Sequence, residues 1–248
     1  MNQLIELVAE NNLSKELYDI FFALGFVSVF LFVFFAGKKM KLKLWKPAAV
    51  VLMVYPTAVL LMFVLYWLET GYFGGNNIVR VFVYIPLIAY PVAKILKLTF
   101  KEIMAILAVG PIAVQGVSHF GCVFVGCCGG YIQQWGVYSP VTGALHFPIQ
   151  PIEATISLLI IFYLFYRAKK RNYVPDGREY PLMLAIFGST RFACEFLRDN
   201  DKLFWGISNL ALHALFMFVV GVIWLIVLKK KESKEITAAA ETTEQAVE

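Results

Sequence analysis

Apolar positions run along this chain in blocks of about 15 to 22 residues, and the polar residues collect between them. A helix that crosses a bilayer needs roughly 20 mostly apolar residues. On that measure about seven runs qualify: Tyr18 to Ala36, Pro47 to Leu68, Ile78 to Ile95, Glu102 to about His119, Pro151 to Phe165, Tyr180 to Leu197 and Ile207 to Leu228. The third, fourth and sixth are less apolar than the rest. The expected fold class is an all-α membrane protein, with residues 1–228 as a single polytopic domain. No internal repeat and no separate soluble domain is visible. Residues 229–248 are polar and rich in Ala, Thr and Glu, and are expected to be a disordered cytoplasmic tail.

The segments between the runs set an orientation. After the first run comes "GKKMKLKLWK", with five lysines; after the second comes "ETGYFGGNN", with none. Lys94, Lys97 and Lys101 follow the third run. Residues 120–150, after the fourth, contain no Lys, Arg, Asp or Glu. "RAKKRNYVPDGRE" follows the fifth, a mixed "RDNDK" the sixth and "KKKESK" the seventh. The basic excess alternates, and cytoplasmic loops carry that excess. The N-terminus is therefore expected outside and the C-terminus in the cytoplasm. "MNQLIELVAENNLSKELYD" is acidic and lacks the basic start of a secretory signal. Leu4, Ile5, Leu7 and Val8 in it suit a short amphipathic interfacial helix.

Composition agrees with the pattern. Hydrophobic residues make up 60% of the 248 and charged residues 16%, where a soluble domain has about 25% charged. The net charge of +5 sits in short loop clusters, which argues topology and excludes a nucleic-acid partner. Four cysteines, two of them adjacent at Cys127 and Cys128, do not form a disulfide framework.

This topology brings polar groups to one membrane face. Arg80 opens the third run. His119 and "GCVFVGCCGG" end the fourth. "HFPIQPIEA" leads into the fifth with His146, Gln150 and Glu153. "RFACEFLRDND" closes the sixth, where Arg191, Glu195 and Arg198 at i, i+4 and i+7 share a helix face. An ionised side chain in a membrane helix normally faces a bundle interior or a wet cavity, and two guanidinium forks suit a phosphate-bearing headgroup. Blander readings exist for each residue. Arg198 could snorkel to headgroups. Glu153, behind Pro148 and Pro151, could simply complement a helix N-terminus, and Gln150 could cap the turn. His119 is a candidate base, phosphate ligand or metal ligand, or an interfacial histidine. Zinc and a reactive thiol are alternatives for the cysteines, but the favoured reading is packing around Gly121, Gly126, Gly129 and Gly130.

In "SHFGCVFVGCCGG", "HFPIQPIEA" and "RFACEFLRDND", in that order, the chain resembles the prolipoprotein diacylglyceryl transferase family, over about residues 70 to 225. The resemblance implies a seven-helix bacterial plasma-membrane enzyme. It would move a diacylglyceryl group from phosphatidylglycerol to the lipobox cysteine in the signal peptide of a lipoprotein precursor, releasing glycerol phosphate. No metal or dissociable cofactor is implied, and the nucleophile is the substrate's thiolate. Carried over, Arg191 holds the lipid phosphate and Glu195 holds Arg191. His119, Arg191, Glu195 and Glu153 become the catalytic candidates. Arg80, Gln150, Arg198, Gly121, Gly126 and Gly130 become the candidates for binding substrate. The chain also departs from the family. His119 stands where an arginine is usual, Cys122 at an asparagine and Cys127 at a glutamate. The upstream histidine-glycine-glycine stretch is replaced by "YFGGNNIVR", with Gly74 and Gly75 but no histidine. Those departures leave room for a different lipid donor or acceptor, or for a non-catalytic lipid-binding membrane subunit.

Overall fold

The computed structural model describes residues 1–72, 79–198, 202–204 and 207–245, without the side chains of residues 69, 79, 80, 202–204 and 239–245. The described chain is mostly helical (76%). In order it runs α1 (Asn2–Glu10), α2 (Ser14–Lys39), α3 (Trp45–Thr70), α4 (Val79–Phe82), α5 (Ile85–Leu96), α6 (Phe100–Leu107), α7 (Gly110–Val125), β1 (Ile132–Ser139), β2 (Ala144–His146), α8 (Ile149–Lys170), α9 (Glu179–Glu195), β3 (Lys202–Phe204), β4 (Ile207–Ser208) and α10 (Asn209–Gln245).

Among the described residues, five helical stretches are long and apolar enough to cross a membrane: Ser14–Lys39, Trp45–Leu68, Phe100–Val125, Ile149–Lys170 and Asn209–Ala238. The other two apolar runs form shorter helices. The third run breaks into α4 and α5, where Pro86 opens α5 and Pro91 sits inside it. Each proline removes a backbone donor. The sixth run is the 17-residue α9. The fourth run is also jointed, at Ala108 and Val109, and Pro111 restarts the helix. Its most apolar window is 83% buried, against 22–44% for the other four, so α6 and α7 form the central column of the bundle.

Small residues let helices close on that column, as expected where lipid supplies no hydrophobic drive. A Cβ on Gly116 of α7 would lie 3.0 Å from Ser157 Cβ of α8. A Cβ on Gly188 of α9 would lie 2.6 Å from the Phe218 amide of α10, and one on Gly221 would lie 2.6 Å from the Ala185 amide.

Two features go beyond the expected elements. The first is the tail, which continues α10 as helix to Gln245. Alanine, glutamate and lysine are strong helix formers, Lys231 and Glu235 pair at i, i+4, and Glu232 clasps Arg178 at the start of α9. The second is a pair of short hairpins within the expected all-α membrane class. An antiparallel hairpin of β1 and β2, irregular between Ile132 and Val137, lies between α7 and α8, and β3 pairs with β4 before α10. α1 docks on the first hairpin. Ile5 packs with Val123 and Val137, and the Asn2 side chain donates to the Gly136 carbonyl (3.0 Å) and accepts from the Tyr138 amide (3.2 Å). Ile5 and Val8 are buried, whereas Leu4 and Leu7 face outward, so the amphipathic expectation is met with the apolar face split.

Candidate active site

Three helices each present polar side chains to one buried point. α7 offers Gln115, His119 and Cys122, spaced i, i+4, i+7. α8 offers Gln150 and Glu153, spaced i, i+3. α9 and the turn behind it offer Arg191, Glu195 and Arg198. All except Cys122 are polar or charged, and all are at least nine-tenths buried. Such groups persist in an apolar interior only when paired.

Glu153 is the hub. Arg191 donates to both of its oxygens, at 2.5 Å to Oε2. Arg198 Nη2 donates to Oε2 at 2.5 Å, and His119 Nε2 lies 2.9 Å from the same oxygen. Glu195 is the second anion, 2.7 Å from Arg191 Nη2 and 3.4 Å from Arg198 Nε. Its other oxygen accepts from Ser208 Oγ at 2.9 Å. Two carboxylates thus face two guanidiniums, and the histidine is the fifth member. His119 Nδ1 lies 2.9 Å from the Gln115 carbonyl.

The same residues hold the glycine-cysteine loop. Gln150 Nε2 donates to the Cys127 carbonyl (2.9 Å) and Arg198 Nη1 to the Cys128 carbonyl (2.6 Å). Gly130 bridges to Arg198 in an isolated β-pairing, and Tyr131 N donates to the Leu197 carbonyl at 3.1 Å. Cys128 is exposed, unlike the buried Cys122. Hydrogen bonding from the Cys122 and Cys127 thiols, helped by Arg198 and His119, holds the Cys128 thiol below its ordinary range.

Beside the cluster lies a cavity of ≈480 Å³. Phe22, Phe26, Val59, Met62, Phe63 and Ile85 make its long apolar part; Gln115, Ser118, His119, Cys122, Cys127, Cys128 and Arg191 make its polar end. Arg191 Nε and Tyr55 Oη, both buried and both on residues lining it, have no hydrogen-bond partner among the described residues. The orphaned donor on Arg191, beside the polar part of an apolar chamber, suits an anionic group carried on a greasy body.

Most of the residues expected from sequence come together here: His119, Gln150, Glu153, Arg191, Glu195 and Arg198. The three glycines do not line the cavity, and backbone closeness accounts for each. A Cβ on Gly121 would press on α2, 2.9 Å from Phe21 Cβ. Gly126 ends α7 at φ +75°, a conformation that favours glycine. A Cβ on Gly130 would lie 2.8 Å from the carbonyls of both Leu197 and Phe147. His146 braces the loop, with Nδ1 2.6 Å from the Gly130 carbonyl. The Arg80 side chain and Gly74 and Gly75 fall outside the described residues. Sequence reasoning missed Gln115, whose isolation in an apolar run one turn before His119 was a usable signal. It also missed Ser208 and Tyr55, for which local sequence carries none.

The chain is similar to several known proteins. A diacylglyceryl transferase from Dehalococcoides mccartyi is 29% identical over 133 residues, half of each chain. One from Campylobacter curvus is 30% identical over 131 residues, 46% of each. One from Campylobacter jejuni is 29% identical over 103 residues, 40% of this chain and 36% of its own. Each bears the name phosphatidylglycerol–prolipoprotein diacylglyceryl transferase, and the chain spans about half the length or less of these curated relatives. The family model described as prolipoprotein diacylglyceryl transferase matches residues 7–227. That stretch takes in α2 to α9, most of α10 and every member of the buried cluster, so the chain belongs to the prolipoprotein diacylglyceryl transferase family.

Proposed function

We propose that the protein transfers the diacylglyceryl group of phosphatidylglycerol to the lipobox cysteine of a lipoprotein precursor, in a bacterial plasma membrane, and releases glycerol phosphate. All seven apolar runs lie within the bilayer in this reading, with the N-terminus outside and the charged cluster near the outer leaflet. The alternating lysine and arginine excess supports that placement.

One observation carries the assignment. A buried guanidinium, Arg191, stands at the polar end of an apolar ≈480 Å³ chamber with its Nε unpartnered. The acyl chains occupy the aromatic and aliphatic length of the chamber, and the phosphate meets Arg191 Nε. The acceptor sulfur attacks the glycerol carbon that bears the phosphate oxygen. A carbon–sulfur bond forms, the carbon–oxygen bond breaks, and the electron pair leaves on the phosphate. Arg191 stabilises that developing charge in a site with little water. Glu195 and Glu153 orient the two arginines. Gln150 and Arg198 fix the loop that borders the headgroup. Glu153 is a poor candidate base, because both of its oxygens already hold cationic partners.

The test is transfer of radiolabelled phosphatidylglycerol to a lipobox peptide by the full chain in vesicles. The wild-type chain labels the peptide. Arg191→Gln lowers the rate by about 10²–10³-fold, the usual cost of losing a donor to developing charge. Label on a different acceptor, or release from a different donor, would redirect the assignment to a divergent transferase.

A further inference from the structure

We propose that Cys122, Cys127 and Cys128 bind a zinc ion whose open fourth position takes the acceptor cysteine as its thiolate. The proposal rests on the transferase reading and deepens it by supplying what the cluster lacks, a group that strips the proton from the incoming thiol. Glu153 is fully engaged, and His119 is held between Glu153 and Gln115.

The three sulfurs lie within 4.8 Å of one another. Tetrahedral zinc with bonds of about 2.3 Å puts its sulfurs about 3.8 Å apart, so the site closes with a contraction of an ångström or less. Cys122 comes from the last turn of α7 and the other two from the loop, and all three line the polar end of the cavity beside Arg191. The loop is built to hold this arrangement. Its carbonyls at Cys127 and Cys128 are pinned by two buried side chains, Gln150 and Arg198. Cys128 itself sits at φ +57°, a left-handed conformation uncommon for a residue other than glycine. Supporting contacts of this kind orient metal ligands.

The donor set selects the ion. Three thiolates favour a soft cation, and three protein ligands with a vacant position are the pattern of catalytic rather than structural zinc. Zinc with three thiolates carries one net negative charge, which the cationic side chains at this end of the cavity offset. A substrate thiol that enters the fourth position loses its proton to solvent and remains an electron-rich sulfur. That sulfur attacks the glycerol carbon, the carbon–oxygen bond breaks, and the phosphate leaves toward Arg191. The product is a neutral thioether, a weak ligand, and it leaves the ion. Sequence reading expects no metal here; the convergence of the three sulfurs in space changes that expectation.

The experiment uses the full chain, purified in phosphatidylglycerol nanodiscs. Zinc content is measured first, then zinc is exchanged for cobalt. One metal per chain is expected, with intense visible bands of tetrahedral cobalt and a thiolate-to-cobalt charge-transfer absorption. Cys122→Ser, Cys127→Ser and Cys128→Ser each lose that absorption, while Cys194→Ser keeps it. A lipobox peptide shifts the cobalt bands, and the same peptide with serine for cysteine does not. Three freely alkylated thiols in native protein saturated with zinc, a disulfide among them, or bands unmoved by the thiol peptide would overturn the proposal. The spectra are read on native protein, so a variant that fails to fold leaves the test intact. Loss of metal with transfer preserved overturns the zinc site alone. Metal and thiol binding without transfer from phosphatidylglycerol overturns the transferase reading and leaves the site standing.

Discussion

Glu153 concentrates the risk in this fold. It is the shared acceptor for Arg191, Arg198 and His119, and breaking such a buried pair by removing one partner costs about 3–5 kcal/mol. Glu153→Gln is expected to lower the unfolding midpoint in detergent and to abolish transfer. Arg191→Lys is expected to retain most of the stability and lose most of the activity, because a point charge replaces a planar fork. A calorimetric scan beside the transfer assay separates the two. A different residue sets the acid limit. Asp176 lies in the loop before α9. Burial pushes its carboxyl up, but Arg167, which donates to both carboxylate oxygens, and the Arg178 amide at 2.9 Å hold it at about 2. A lowered folded pKa contributes stability above the unfolded value, and that contribution disappears as pH falls through the folded one. The contribution is therefore complete above about pH 4 and fades toward pH 2. Asp176→Asn should flatten that part of a pH–stability curve measured by thermal unfolding.

At the scale of elements, the residues that carry charge were legible because lipid makes them expensive: Arg191, Glu195 and Arg198 stand out in an apolar run. Their meeting with Glu153 was legible through the loop-charge pattern, which put the ends of α7, α8 and α9 on one face. The breaks were less legible. Hydropathy sums over the third run and does not register the break between α4 and α5, just ahead of Pro86. The hairpin of β1 and β2 was hidden because a stretch without charge looks like loop until its cross-strand partners are known. Packing between α9 and α10 depends on glycines whose role appears only in space. Gly188→Leu would drive a side chain into the Phe218 backbone, and overpacking of that kind costs about 1–3 kcal/mol or more. Denaturation in mixed detergent should show the loss. Leu212→Ala, at an outward-facing position of α10, should leave the midpoint nearly unchanged.

For the whole molecule, orientation is the claim with most consequences, since it decides which leaflet supplies lipid. A fluorescent protein fused at the C-terminus is expected to fold and fluoresce in the cytoplasm, and alkaline phosphatase fused there to stay inactive. Active phosphatase would invert the arrangement and put the cluster against the inner leaflet. The helical membrane class was readable across the chain, but the cavity was not, because its walls are drawn from α2, α3, α4, α5, α7, α9, α10 and the glycine-cysteine loop.

The 37 residues of α10 measure about 55 Å at 1.5 Å each, against a hydrocarbon layer of about 30 Å. The helix is therefore about 25 Å longer than such a layer, and the Arg178–Glu232 clasp braces the part beyond the apolar stretch. A handle attached to its far end would sit beyond a detergent belt, which makes this helix the natural grip for tethering the protein to a surface or a cryo-microscopy fiducial without disturbing the buried chamber.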